Sequence, residues 1–223
     1  MTALALIPVI LVEPWNYDRQ DHKMPTGTIA DLPKAWETYN QKCYQDSGLK
    51  HLQAIETGSH FFALDTVQTD DLSIILAEMY SEYLKDSVAR QELLDDMVDR
   101  APFIPGGFAL QLGDRLIHLP GCCCGLESIE EWQTPREQTL TTPVYVWTGH
   151  DQVHEVMLSS DEKKVTISVG ESEHYTLSLA AYHEFLYEAE RCLSRFFERA
   201  GHVLDTLFGV KTGQAMARAM VYK

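Results

Sequence analysis

The hydrophobic period of the chain changes at Ser178, and that change constrains the fold more than any other feature. Upstream, Val144-Tyr145-Val146-Trp147, Val153 to Leu158, Val165 to Val169 and His174 to Leu177 are β-rich, with Gly149-His150-Asp151, Ser159 to Lys163 and Gly170 to Glu173 as turns between them. Downstream the period is 3.6. Leu179, Tyr182, Phe185, Leu186, Ala189, Leu193 and Phe196 share one side of a helix expected to run to about Ala200 and stop at Gly201. A sheet with one apolar face needs a cover, and this helix carries a matching stripe. The expected class is α+β: an antiparallel sheet, made of a hairpin and a C-terminal meander, packed against several helices with the long helix after the meander.

The rest of the chain supplies the hairpin and the other helices. Ala3 to Val12 is apolar, lacks a preceding Lys or Arg, and ends at Glu13-Pro14, so it reads as a buried strand bent at Pro8 rather than an export signal. Asp31 offers a cap, with Pro33 in the first turn, for a helix bearing Ala35, Trp36, Tyr39 and Cys43 and stopping at Gly48. His51 to Thr57 and His60 to Asp65 read as two strands around Thr57-Gly58-Ser59. Thr69 with Asp70 and Asp71 suits a helix start, because a hydroxyl cap and two carboxylates favour the positive end of the helix dipole. Leu72, Ile75, Leu76, Met79, Tyr80 and Tyr83 form its apolar face, and a second acidic helix is expected over Ser87 to Asp99. Phe108 to Leu112 and Arg115 to Leu119 make a hairpin around Gly113-Asp114. Ser128 and Glu131 then have capping-box spacing for a short helix. The 223 residues read as one domain, with 134–142 as the weakest internal boundary.

Charge narrows the function classes. The formal net charge is −15, and it is uneven: Asp65 to Arg100 holds ten Asp or Glu against three Lys or Arg, whereas Arg199 to Lys223 holds four basic residues against one acidic. Such a surface repels phosphate backbones and anionic membranes and attracts basic proteins and cations, which argues against nucleic acid and membrane as partners. No segment reaches about eighteen uninterrupted apolar residues. Five cysteines, an odd number with three adjacent, do not form the spaced even set of a secreted disulfide scaffold, so a reducing cytoplasm is the expected compartment.

Three of those cysteines, Cys122-Cys123-Cys124, stand between Pro120-Gly121 and Gly125. Loop amides and a nearby helix N-terminus would stabilise a thiolate, and His118 would be the closest base, so these four residues are the candidates for thiol catalysis or redox chemistry. As metal ligands, His118, Cys122 and Cys124 place nitrogen and sulfur within seven residues, although zinc sites usually space their cysteines by two to four. His150 and His154 form an H-x3-H, but on a hairpin rather than a helix and without the HExxH order. No cofactor is expected, with zinc as the one ion these residues could take. A buried, purely structural triplet is the competing reading, because cysteine packs as a small hydrophobe. No GxxxxGK[ST], GxGxxG or GxSxG is present.

The acidic segment offers a different function. Asp70, Asp71, Glu78, Glu82, Asp86, Asp95 and Asp96 would form a docking face for a basic protein, where complementary charge speeds encounter. Small acidic proteins that neutralise basic nuclease toxins use this physics, so the leading expectation is a protein-binding module of the immunity or antitoxin kind. The alternative is a thiol-dependent, redox or metal-binding protein built on the cysteine loop.

Overall fold

The computed structural model describes residues 3–150, 154–209 and 211–221. In chain order the elements are β1 (Leu4–Leu11), α1 (Pro33–Asp46), β2 (Phe61–Ala63), α2 (Thr69–Met79), α3 (Ser81–Lys85), α4 (Ser87–Asp95), α5 (Met97–Arg100), β3 (Gly106–Leu112), β4 (Arg115–His118), α6 (Ile129–Glu137), β5 (Val144–Val146), β6 (Val156–Ser160), β7 (Lys164–Val169), β8 (Glu173–Ser178), α7 (Leu179–Phe208) and α8 (Gly213–Ala219). The strands form two four-stranded sheets, ordered β2-β1-β3-β4 and β5-β6-β7-β8. The expected α+β class, with a long helix after the meander, is what the chain adopts. Among the described residues no helix is long and apolar enough to cross a membrane.

The chain forms two compact units, one of residues 1–9 and 105–194, the other of residues 10–104 and 195–223. The segment 134–142 lies inside the first. There β3 and β4 pair antiparallel around Gly113-Asp114, with a register shift between Leu110 and Gln111. The meander keeps strict alternation: Val156, Leu158, Val165, Ile167 and Val169 are buried while their neighbours in sequence are not. The beginning of α7 packs on α6, where Tyr182 donates to the Trp132 carbonyl at 2.6 Å and Phe185 meets the Trp132 ring at 6.2 Å. Gln133 and Arg136 of α6 both donate to Glu190 Oε1. Phe185, Leu186 and Phe196 are all buried, as the stripe requires.

In the second unit, Trp36, Tyr39 and Cys43 of α1 form a buried cluster with Ile29 against it, while Ala35 is exposed. Arg199 of α7 donates to the carbonyls of Leu64, at 2.6 Å, and Val67. Tyr80 meets Phe208 edge-on at 5.4 Å.

Several local expectations fail for identifiable reasons. Residues 51–57 form bends and irregular loop rather than a strand. The buried Asp71 carboxylate takes the N–H groups of Lys50 and His51, so these cannot serve a ladder. Thr69 does not cap α2; Gln68 holds that position in extended conformation, without a side-chain cap. The capping box at Ser128 is not formed. Ser128 ends a 3-10 turn (Leu126–Ser128) in helical conformation, its hydroxyl donates to the Gly125 carbonyl, and Glu131 accepts instead from the Trp147 N–H. The second acidic helix is two, α4 and α5, each started by an aspartate: Asp86 accepts from Val88 and Ala89, and Asp96 from Asp99.

Gly201 does not end α7, which continues to Phe208 and stops at Gly209 in left-handed conformation (φ +66°). Gly201 instead permits close approach of α8, since a Cβ on it would lie 3.0 Å from the Gln214 nitrogen; on the facing Gly213 a Cβ would lie 2.0 Å from the Gly201 carbonyl oxygen and 2.8 Å from the Asp205 nitrogen. Both obstacles are backbone and cannot swing aside. Gly213→Ala is therefore expected to destabilise the protein by about 2–3 kcal/mol, read as a lowered urea midpoint at unchanged slope. An unchanged midpoint would show that α8 shifts without cost.

Candidate functional site: an exposed thiol and imidazole cluster

The cysteine loop leaves the hairpin after β4 and is stitched to backbone on two sides. On one, the Gly106 N–H donates to the Cys124 carbonyl at 2.8 Å, and Pro105 and Gly125 form an isolated antiparallel bridge. On the other, the Gly121 N–H donates to Thr148 at 2.6 Å and the His150 N–H donates to Cys122 at 2.9 Å, beyond the end of β5. Gly149 makes the second seam possible. Its φ is +92°, and a Cβ there would sit 2.4 Å from the Cys122 carbonyl oxygen.

Within this clamp, Cys123 adopts φ +62°, a left-handed conformation uncommon for a residue with a side chain. The turn separates the three thiols. Cys124 points inward and is 1% exposed, its sulfur 3.7 Å from the Ser128 hydroxyl and 3.6 Å from the Trp147 carbonyl. Burial pushes its thiol up to about 11, partly opposed by the Ser128 contact. Loop amides and the following turn do not activate this residue as the sequence suggested. Cys122 and Cys123 are both exposed, with sulfurs 3.8 Å apart. The His150 ring joins them: its nitrogen and the two sulfurs all lie within 4.8 Å of one another. Trp147 packs edge-on to the imidazole at 5.0 Å. None of the five cysteines forms a disulfide.

A thiol reagent such as a maleimide should label Cys123 in the native protein at neutral pH, while Cys124 stays unmodified until the chain unfolds. Mass mapping that found Cys124 labelled in the folded state would contradict this geometry.

The other candidates sit elsewhere. His118 is 4% exposed, its Nε2 has no hydrogen-bond partner among the described residues, and burial, with a lesser contribution from His154, pushes its pKa down to about 4. It is not among the ligand atoms gathered at Cys122 and Cys123. His154 lies at the Gly170 turn, where a Cβ on the glycine would be 3.1 Å from its Nδ1. Thus, among the described residues, His150 and not His154 lies beside the exposed thiols, which are Cys122 and Cys123 and not Cys124.

The acidic candidates are dispersed among structural tasks. Asp71 is 1% exposed and bonded to the Lys50 and His51 amides and the His51 ring, which removes it from the expected docking face. Glu78 pairs with Arg19 at 2.8 Å, Asp95 accepts from Gln91, and Asp86 and Asp96 cap helices. Asp70 and Glu82 are exposed. A second ligand-like cluster, Asp18, His22 and Asp46, escaped the sequence because its members lie 28 residues apart at the extremes. Its oxygens are already used: Asp18 accepts from the Gln20 and His22 amides, and Asp46 from the Arg19 amide and the Gln20 side chain.

Comparison with protein-family models, curated proteins and solved structures gives no match, so the site is read from its own chemistry.

Proposed function

We propose that this is a metal-binding protein whose exposed Cys122, Cys123 and His150 side chains take a thiophilic cation, with zinc as the best fit. The sulfur spacing carries the reading. Zinc bonds thiolate sulfur at about 2.3 Å, and a tetrahedron with that bond length sets two sulfurs roughly 3.8 Å apart, the separation of Cys122 and Cys123. An imidazole nitrogen within reach supplies a third donor of the type zinc prefers. The fourth comes from outside these three side chains, which suits transfer of the ion or polarisation of a bound group. Ligation requires both thiols as thiolates, so binding releases protons and tightens as pH rises.

Cobalt substitution tests the site directly. Titration of the full chain with Co(II) should give one equivalent of a species with sulfur-to-metal charge-transfer absorption, displaced by zinc. Cys122→Ser, Cys123→Ser and His150→Ala should each weaken binding at least tenfold, and Cys124→Ala should not. Binding that survived loss of both exposed thiols would overturn the proposal. Capture of a basic partner by the acidic segment has less behind it, because most of the carboxylates it would use are engaged within the chain.

A further inference from the structure

A second site, of different chemistry, lies in the unit formed by residues 10–104 and 195–223. One face of α1 and residues 52–62 enclose a pocket of about 190 Å³, room for roughly six water molecules. That is too small for a cofactor and suits a head group. Tyr44 and Phe62 contribute aromatic walls, and Glu37 stands among the lining residues.

Two lining side chains are polar and buried, and each has an oxygen without a partner among the described residues. Asn40 and Ser59 are each 4% exposed, and among the described residues neither Asn40 Oδ1 nor Ser59 Oγ has a hydrogen-bond partner. The Asn40 amide is fixed, because Nδ2 donates to the Gly58 carbonyl at 3.1 Å, so its oxygen is the free end. Gly58 in turn is held in left-handed conformation (φ +80°) against Pro33, where a Cβ would lie 2.6 Å from the Pro33 oxygen. Buried acceptors left without donors are rare and call for an occupant.

The occupant's chemistry follows from the donors it must bring. Asn40 Oδ1 and the Glu37 carboxylate can only accept, Ser59 Oγ can accept, and among the described residues no Lys or Arg lines the pocket, the remaining polar side chains, Gln41, Gln53 and Thr57, being uncharged. Glu37 has no ion-pair partner among the described residues. An ammonium group has three donors, no acceptor and the complementary charge. Aromatic walls also suit a cation. We infer that this pocket binds a primary ammonium group, from either a free small amine or a lysine side chain.

Amide NMR on the full chain distinguishes the sources. Butylammonium should shift the Gly58 and Ser59 amides and the Asn40 side-chain NH2 saturably, whereas butanol, its neutral counterpart, should not. A lysine-containing peptide binding more tightly than butylammonium would assign the source to a protein, and the reverse order to a free amine. Glu37→Gln, at a position without hydrogen bonds to the fold, should weaken either ligand at least fivefold, and Ser59→Ala should weaken it further. The inference is overturned if amine, peptide and alcohol act alike or not at all, or if the variants bind as the parent does; the pocket would then hold water only.

Discussion

Alanine at Gly149 is expected to weaken the proposed zinc binding at the thiol cluster at least tenfold, as loss of the His150 ring itself would, while leaving the meander folded. The φ of +92° already costs an L-residue about 1–2 kcal/mol. The steric term is larger. A Cβ 2.4 Å from the Cys122 oxygen and 2.8 Å from the Gly121 carbonyl carbon and oxygen meets only backbone, so the seam between 121–122 and 148–150 must open. Opening it breaks the His150-to-Cys122 hydrogen bond and carries the imidazole away from the sulfurs. A site with three donors then keeps two, and two thiolates from adjacent residues bind weakly without a third ligand. Gly170→Ala is the control. It shares the positive φ, but its nearest neighbour is the movable ring of His154, so affinity should hold and stability should fall by about 1 kcal/mol. Parental affinity in Gly149→Ala would mean that the two thiols alone define the site.

Acid should destabilise the protein through His118 as pH falls below the range of an ordinary histidine. In the folded chain burial holds this imidazole at about 4, against 6.5 for an ordinary histidine. The unfolded chain therefore binds the extra proton first, and stability is lost as pH falls from 6.5 to 4. The loss from this residue reaches about 3 kcal/mol at the lower end and vanishes above 6.5. His60, also pushed down to about 4 by burial, acts with the same sign. His118→Gln cannot titrate, so parent and variant should converge or cross as pH falls, measured by urea unfolding at a series of pH values. Parallel stability curves would show that His118 is hydrated in the folded state.

What was legible in advance depended on periodicity. The meander and α7 were visible because alternating Val156, Leu158, Val165, Ile167 and Val169, and the stripe from Tyr182 to Phe196, each obey one simple repeat. Boundaries set by distant partners were not. Gly201 has the composition of a helix stop, yet the approach of Gly213 from another helix decides its role. Asp71 has the position of a helix-start carboxylate, yet its oxygens serve amides twenty residues upstream. The cysteine loop was singled out from sequence, but the division of labour within it turns on the left-handed Cys123 and the seam at Gly149. His150 belongs to the site through backbone pairing 28 residues from Cys122, a separation no ligand-spacing rule covers.

The division of the chain after Val9 and Ser194, with its other break between Ile104 and Pro105, bears on how the protein is made. During synthesis the first 104 residues emerge without their closing segment, since Leu64 and Val67 await Arg199, and Arg90 awaits Phe208. Loops of more than a hundred residues must close before those contacts return any free energy. A nascent chain that ends before Ser194 thus holds neither unit entire, whereas one that ends at Ser194 holds the first without the second.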